Sequence, residues 1–212
     1  RGSRGSSVQL STSLCEAVDR MPTYSGWQGK EPLCTDHIPT LTVQQIRPLL
    51  EVQENGLLHE FLRDAAGAQS IFGTPWAKAK GLGGSLVRRV SFRAPAPPDI
   101  PSAFISMLGL PKFFDITLVA RLSWIDERLA LVMHSCSLGA PYGDHFRVQD
   151  VVVFAPCTAG GATISKWTQV IWVKPMPWHL KAAKHFMEKK IQEEAVEKFH
   201  PLVKLFREYP PK

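Results

Sequence analysis

Along residues 177–209 the apolar positions Leu180, Ala183, Met187, Ile191, Ala195, Phe199, Leu202, Phe206 and Tyr209 recur at spacings of three and four, while Lys and Glu fill the positions between them. That period predicts one long amphipathic helix whose stripe needs a partner surface. Pro177 suits the first turn, where its missing N–H would have no acceptor, and Pro201 predicts a kink or a restart. Upstream the period shortens to two. In "KFFDITLVARLSWID" Phe114, Ile116, Leu118, Ala120, Leu122 and Trp124 alternate with Asp115, Thr117, Arg121 and Ser123. Asp126 and Glu127 then turn the chain into "RLALVMHSCSLG". "PYGD" at 141–144 leads into "HFRVQDVVVFAP", with Phe146, Val148, Val152 and Phe154 on one face, and "TAGGA" leads into "TISKWTQVIWVKP". Four long strands with short links predict an antiparallel meander, strongly twisted and curved.

The remaining elements are smaller. Thr42 caps a helix in which Val43, Ile46, Leu49 and Leu50 share a side; a second, over 57–66, presents Leu58, Phe61 and Leu62. Pro48 interrupts the first, so two small helices or turns are expected rather than one long one. The glycines at 81, 83 and 84 lack a following Lys-Ser/Thr or helix and read as a turn, not a phosphate cradle. Residues 86–94 predict a strand with Leu86, Val90 and Phe92 on one face and Arg89, Ser91 and Arg93 on the other; Arg88 breaks the rule. Over 95–111 five prolines exclude regular sheet, yet Phe104, Ile105, Met107, Leu108 and Leu110 are large and apolar. A loop usually runs over the surface and is polar. Either this one tucks into the core, or it shields or inserts into something greasy. Helices, a strand, a long loop, four strands and a closing helix describe an α+β fold of helix-grip type, a curved antiparallel sheet around the C-terminal helix. Any guest in the wedge between them has to be apolar.

Composition changes this picture little. The 212 residues are 44% hydrophobic, enough for one globular core. Lys and Arg outnumber Asp and Glu by 25 to 19, a formal charge of +6, which favours an anionic partner such as a membrane surface or nucleic acid. No apolar run approaches the ~20 residues that span a bilayer, and the start carries no signal-like leader, so a soluble cytosolic setting is expected. "RGSRGSS" reads as a linker or cloning remnant, and the polar stretch after it as an irregular arm. Cys15, Cys34, Cys136 and Cys157 form no C-x-x-C pair and no zinc-ligand spacing. They read as reduced thiols, with a Cys15–Cys34 disulfide the alternative in an oxidising compartment. No metal, cofactor or catalytic motif is apparent, and the aromatics lie at core-like alternation, which argues against nucleic acid.

"PYGDHFRVQDVVVF" at 141–154 resembles the P-Y-G-D-x-F-x-V signature of VASt domains, the START-like lipid-transfer modules of Aster and related GRAM-containing proteins. "LLHEFLRD" before Trp76, "RRVSF", and Gly109, Leu110, Pro111 and Lys112 at the end of the proline-rich loop follow in the family's order, over 42–209. Leu110 within Gly-Pro-Lys and the apolar insertion before it depart from the usual pattern. The resemblance implies a START-like lipid-binding domain over 36–209 behind a linker or arm at 1–35. It implies a monomeric, non-enzymatic carrier of sterol or other lipid, working on the cytoplasmic face of membranes at endoplasmic reticulum contact sites. Expected ligand contacts are Phe104, Ile105, Leu108, Phe114, Ile116, Leu118, Tyr142, Phe146, Ala183 and Met187. The loop over 95–111 becomes a lid that touches an anionic membrane through Phe104, Ile105, Met107, Leu108 and Lys112, with Lys181 and Lys184 nearby. His134, Gln149, Asp150 and Tyr142 are all candidates to meet a sterol hydroxyl. The alternatives are a non-catalytic membrane or protein interaction module, and a cyclase-type enzyme in which His134 and Asp150 face each other.

Overall fold

The computed structural model describes residue 27 and residues 29–52, 56–79, 84–137 and 139–209; Cys15, Gly81, Gly83 and the arm over 1–26 lie outside them. Among the described residues eight strands make one curved antiparallel sheet. They are β1 (Cys34–Ile38), β2 (Gln69–Gly73), β3 (Ala77–Lys78), β4 (Leu86–Pro95), β5 (Phe113–Ile125), β6 (Arg128–Cys136), β7 (Phe146–Pro156) and β8 (Ala162–Trp172). Their order is β1-β8-β7-β6-β5-β4-β2, with β3 also on β4. The meander β5–β8 is the one that strict alternation predicts; Asp126, at φ 55°, makes the tight turn between β5 and β6 that pairs Ile125 with Arg128. The short edge strands β1, β2 and β3 escape a periodicity reading, since none is long enough to show an alternation.

Two helices precede the sheet's centre, α1 (Val43–Glu51) and α2 (Leu57–Ala66). Thr42 and Gln45 cap α1 reciprocally: the Thr42 hydroxyl accepts from Gln45 N–H, and the Gln45 carboxamide accepts from Thr42 N–H at 2.9 Å. Pro48 does not interrupt α1, contrary to the sequence expectation. The helix continues to Glu51 because Val43, Ile46 and Leu50 are buried on one face, and the break comes later, before Gly56. Arg88 is also resolved. It stands on the core-facing side of β4, buried, with its guanidinium 5.5 Å from the Trp76 ring and donating to Val52 O at 3.3 Å, so the charge is held by backbone and aromatic partners.

The closing helix comes in two pieces, α4 (Lys181–Glu197) and α5 (Phe199–Glu208), entered through a single 3₁₀ turn, Trp178–Leu180. The discontinuity lies at Lys198, ahead of Pro201: the proline has no N–H to offer the Glu197 carbonyl four residues back, so the ladder restarts one turn before it. The two pieces do different things. On α5 Phe199, Leu202, Val203 and Phe206 are buried against Ile38, Ile46, Leu50, Leu62 and Phe154, with the Phe154 and Phe206 rings edge to face at 5.0 Å. On α4 only Ala183 and Ala195 are buried. One end of the concave face is therefore packed by α1, α2 and α5, with a gap of only about 20 Å³ among them, and the other end is spanned by α4 without being filled.

The convex face carries its own order. Trp27 packs on Ala130, Val132, Val151, Val153 and Trp167. Beside that cluster a polar ladder crosses three strands: Gln169 Nε2 donates to Gln149 Oε1 at 2.7 Å, and Gln149 Nε2 donates to His134 Nε2 at 2.7 Å. Burial, then the nearby Arg147 guanidinium, pushes the His134 pKa down to about 4. Below about pH 6.5 the unfolded chain takes a proton on this histidine that the folded one refuses until about pH 4. The contribution of this histidine to stability should therefore fall across that window, by roughly 3 kcal/mol at most, and stay level below it. Urea unfolding at pH 7 and pH 4.5 should show His134→Gln losing markedly less stability on acidification than the unsubstituted protein.

Candidate functional site

Between α4, the concave face and the segment over 95–111 lies a cavity of about 370 Å³. That volume is in the range of small-molecule sites, about 300–1,000 Å³. Its roof is a short helix, α3 (Ser102–Leu108), inside the segment that five prolines had marked as irregular. Pro101 precedes it, and Gly109, at φ 61°, ends it in the left-handed conformation. The helix divides the apolar residues of this segment. Leu108 is buried with Leu180 and Ala183, and Phe104 stacks on Phe186 with centroids 4.8 Å apart. Ile105 and Met107 point outward, 41% and 53% exposed. One side of the helix thus tucks into the interior, and the other leaves large apolar side chains in solvent. Lys190 of α4 hydrogen-bonds Asp99 ahead of the roof, which holds the Asp99 carboxyl below the usual carboxylate range.

The floor is supplied by alternate residues of the meander. Phe114, Ile116 and Leu118 from β5, Met133 from β6, and Phe146, Val148 and Val152 from β7 all line the cavity. Met187 and Ile191 of α4 face them, half-buried because one side meets empty space rather than packing. Phe104, Leu108 and Tyr142 complete the expected set. Two expected contacts lie elsewhere. Ile105 faces solvent from the outer side of α3, and Ala183 is consumed in packing against Leu108 and Leu180. Phe186 was missed, since it sits beside the apolar stripe rather than on it.

Tyr142 is positioned by the 141–144 turn. Gly143 N–H donates to Ala140 O at 2.9 Å and His145 N–H to Tyr142 O at 2.9 Å, with Tyr142 itself at φ 58°. A Cβ on Gly143 would stand 1.7 Å from the Ser137 carbonyl oxygen, so only glycine fits there. Arg147 Nη1 closes the turn by donating to Phe146 O at 2.7 Å and Gly143 O at 3.3 Å. The Pro-Tyr-Gly-Asp sequence is thus a device for holding an aromatic ring at the cavity wall.

Polar residues interrupt the greasy lining, among them the Glu194–Lys198 pair on the helix side and a group around Asp150 on the sheet. Asp150 Oδ1 accepts from Thr168 Oγ1 at 2.6 Å and pairs with the Lys166 ammonium at 3.3 Å, and that ammonium also donates to Ala195 O at 3.4 Å. All three side chains belong to residues that line the cavity. Of the four candidates for a ligand hydroxyl, Asp150 and Tyr142 reach the cavity; His134 and Gln149 pair across the convex face. His134 and Asp150 therefore point to opposite sides of the sheet, since Asp150 lies opposite Met133 in the register. The acid–base dyad expected of a cyclase-type enzyme does not form. Lys166 and Thr168 escaped the sequence reading, which gave "TISKWTQVIWVKP" as a strand without assigning its faces. Among the described residues no group of three or more His, Cys, Asp or Glu is placed to hold a metal ion, and Cys34, Cys136 and Cys157 are free thiols.

The family model of the VASt domain, the VAD1 Analog of StAR-related lipid transfer domain, matches residues 35–197. No curated protein matches the chain. The matched span takes in the meander, the roof helix and all of α4, so this chain belongs to the VASt family, a family of lipid-binding domains.

Gly143→Ala should cost more than the ~1 kcal/mol of a typical substitution, because the clash is with backbone, and should lower the unfolding midpoint by several degrees in calorimetry. Asp150→Ala leaves the Lys166 ammonium buried beside a greasy wall and is expected to cost about 3 kcal/mol in urea unfolding. Replacing both members, Asp150→Leu with Lys166→Met, should recover most of that loss.

Proposed function

We propose that this VASt-family chain binds one sterol, or a lipid of similar size, in the cavity and exchanges it with membranes through the opening under α3. The observation that carries the reading is the hollow of about 370 Å³ under α4, lined mostly by apolar side chains, with the Asp150, Lys166 and Thr168 group on the sheet and Lys190, Glu194 and Lys198 on the helix side. A module that served only as an interaction surface has no need of unfilled space in its core. In this reading residues 36–209 are a helix-grip, START-like domain, α3 is the lid, and no covalent chemistry is involved.

The energetics suit a carrier. A sterol-sized ligand burying ~400 Å² of apolar surface gains roughly 10 kcal/mol at ~25 cal/mol per Å², close to what a bilayer offers it, so exchange is nearly neutral. What needs lowering is the barrier of passing through water. A lid with one greasy side on the ligand and Ile105 and Met107 on the other does so by opening against a membrane. Lys112 and Lys181, both exposed, favour an anionic leaflet by up to ~1 kcal/mol each. The setting that follows is the cytoplasmic face of membranes at endoplasmic reticulum contact sites, with the domain working as a monomer.

Native mass spectrometry and displacement of a fluorescent sterol should reveal saturable one-to-one binding; its absence with every sterol and phospholipid tried would end the carrier reading. Leu118, buried in the cavity wall, offers the sharper test. Leu118→Trp should fill the hollow and abolish uptake while cooperative unfolding persists, whereas in a filled core the same change would overpack and cost stability instead.

A further inference from the structure

We propose that Trp178 is a second membrane anchor beside the lid, so that this end of the molecule seats on an anionic bilayer at two points rather than one. Trp178 opens the 3₁₀ turn that leads into α4 and is 88% exposed, although a tryptophan normally buries most of its surface. Two residues on, Leu180 is buried against Leu108 of the lid helix. The turn and the lid are therefore one packed unit, and what each leaves uncovered lies at the same end of the molecule. Ile105 and Met107 project from the lid, and Val173, 51% exposed, comes from the segment that leaves β8 beside Tyr142. Other exposed large apolar residues, such as Leu33, Phe72 and Val196, lie on other elements and do not join this group.

Charge selects the occupant. Lys181 follows the turn directly and Lys112 follows the lid, both exposed. The carboxylates nearby are already engaged: Asp144 by Lys174, Asp99 by Lys190, and Glu188 by the Trp172 indole N–H at 2.6 Å and by Lys184 at 3.9 Å. An apolar tip that carries an indole and is ringed by uncompensated lysines matches the boundary of an anionic bilayer, where the ring enters the headgroup layer and the ammonium groups meet lipid phosphates and carboxylates. A protein groove would instead be expected to bring carboxylates to Lys112 and Lys181 and to leave no preference for lipid charge. The inference rests on the lipid-carrier reading for its purpose: two contacts fix the tilt of the molecule and hold the lid edge at the leaflet while it opens.

The test uses vesicles of phosphatidylcholine with and without phosphatidylserine. Trp178→Ala should lower partitioning onto the phosphatidylserine vesicles about tenfold, with Trp178→Phe in between, and should remove the blue shift of tryptophan fluorescence on binding. Raised salt should weaken what remains. Thermal unfolding and sterol displacement measured in solution should be unchanged, because Trp178 touches neither core nor cavity. Equal vesicle binding by Trp178→Ala and the unsubstituted protein would overturn the proposal even if sterol binding stands. So would a dimer in solution that Trp178→Ala dissolves while vesicle binding is unaffected. If no lipid enters the cavity yet Trp178→Ala still detaches the protein, the carrier reading fails and the anchor survives.

Discussion

The controlling constraint is a mismatch between a long curved sheet and the apolar volume that the chain can lay against it. A thirteen-residue strand such as β5 runs roughly 43 Å, while the seventeen residues of α4 reach only about 26 Å. The chain meets this unevenly. Phe199, Leu202, Val203 and Phe206, backed by α1 and α2, pack one end of the concave face to ordinary core density. At the other end the α4 stripe offers Ala183 and Ala195 with Met187 and Ile191 between them, and these do not fill the space.

That shortage has an energetic consequence. Unfilled space deprives the side chains around it of packing contacts, at ~24 cal/mol for each Å³ that is sealed from water. A greasy guest offsets it. Stability and occupancy are therefore coupled, and a ligand that binds the folded state also holds it together. To stay open without collapsing, α4 has to be pinned away from the sheet. Glu188 accepts from the Trp172 indole near the middle of the helix, and Lys166 donates to Ala195 O near its C-terminal end. The ammonium that pins the helix also belongs to the cavity's polar group, so the geometry of the wall and the position of the helix are set by the same side chain.

The roof helix α3 follows from the same logic on a smaller scale. Seven residues between Pro101 and Gly109 make too short a helix to be stable alone, so its inner face, Phe104 and Leu108, has to find partners on α4 and the turn before it. Its outer face keeps Ile105 and Met107 in solvent. A two-sided greasy helix is thus held in place by a stacked ring, a leucine contact and the Lys190–Asp99 pair, in which only the aspartate is well exposed.

The four strands and short links along 113–172 determined the meander, and alternation over 114–124 and 146–154 determined which residues of those two strands face inward, because one buried face imposes a period of two. The three-and-four spacing of 177–209 likewise determined the closing helix, and Pro201 its restart. The aromatic turn at 141–144 was legible as a motif, though its reason, a glycine with no room for a Cβ against Ser137 O, is a tertiary fact. What the sequence left open was decided by contacts between distant segments. Pro48 stayed helical because burial outweighed a lost hydrogen bond. Arg88 went inside because Trp76 and Val52 O were there to receive it. His134 and Asp150 parted because neighbouring strands were paired in a register that alternation alone does not fix. Above all, the same stripe of apolar residues on the last helix is consistent with a solid core and with a hollow one. Which of the two exists depends on how far a helix stands from a sheet, a distance written in the packing of many segments at once and in no single stretch of chain.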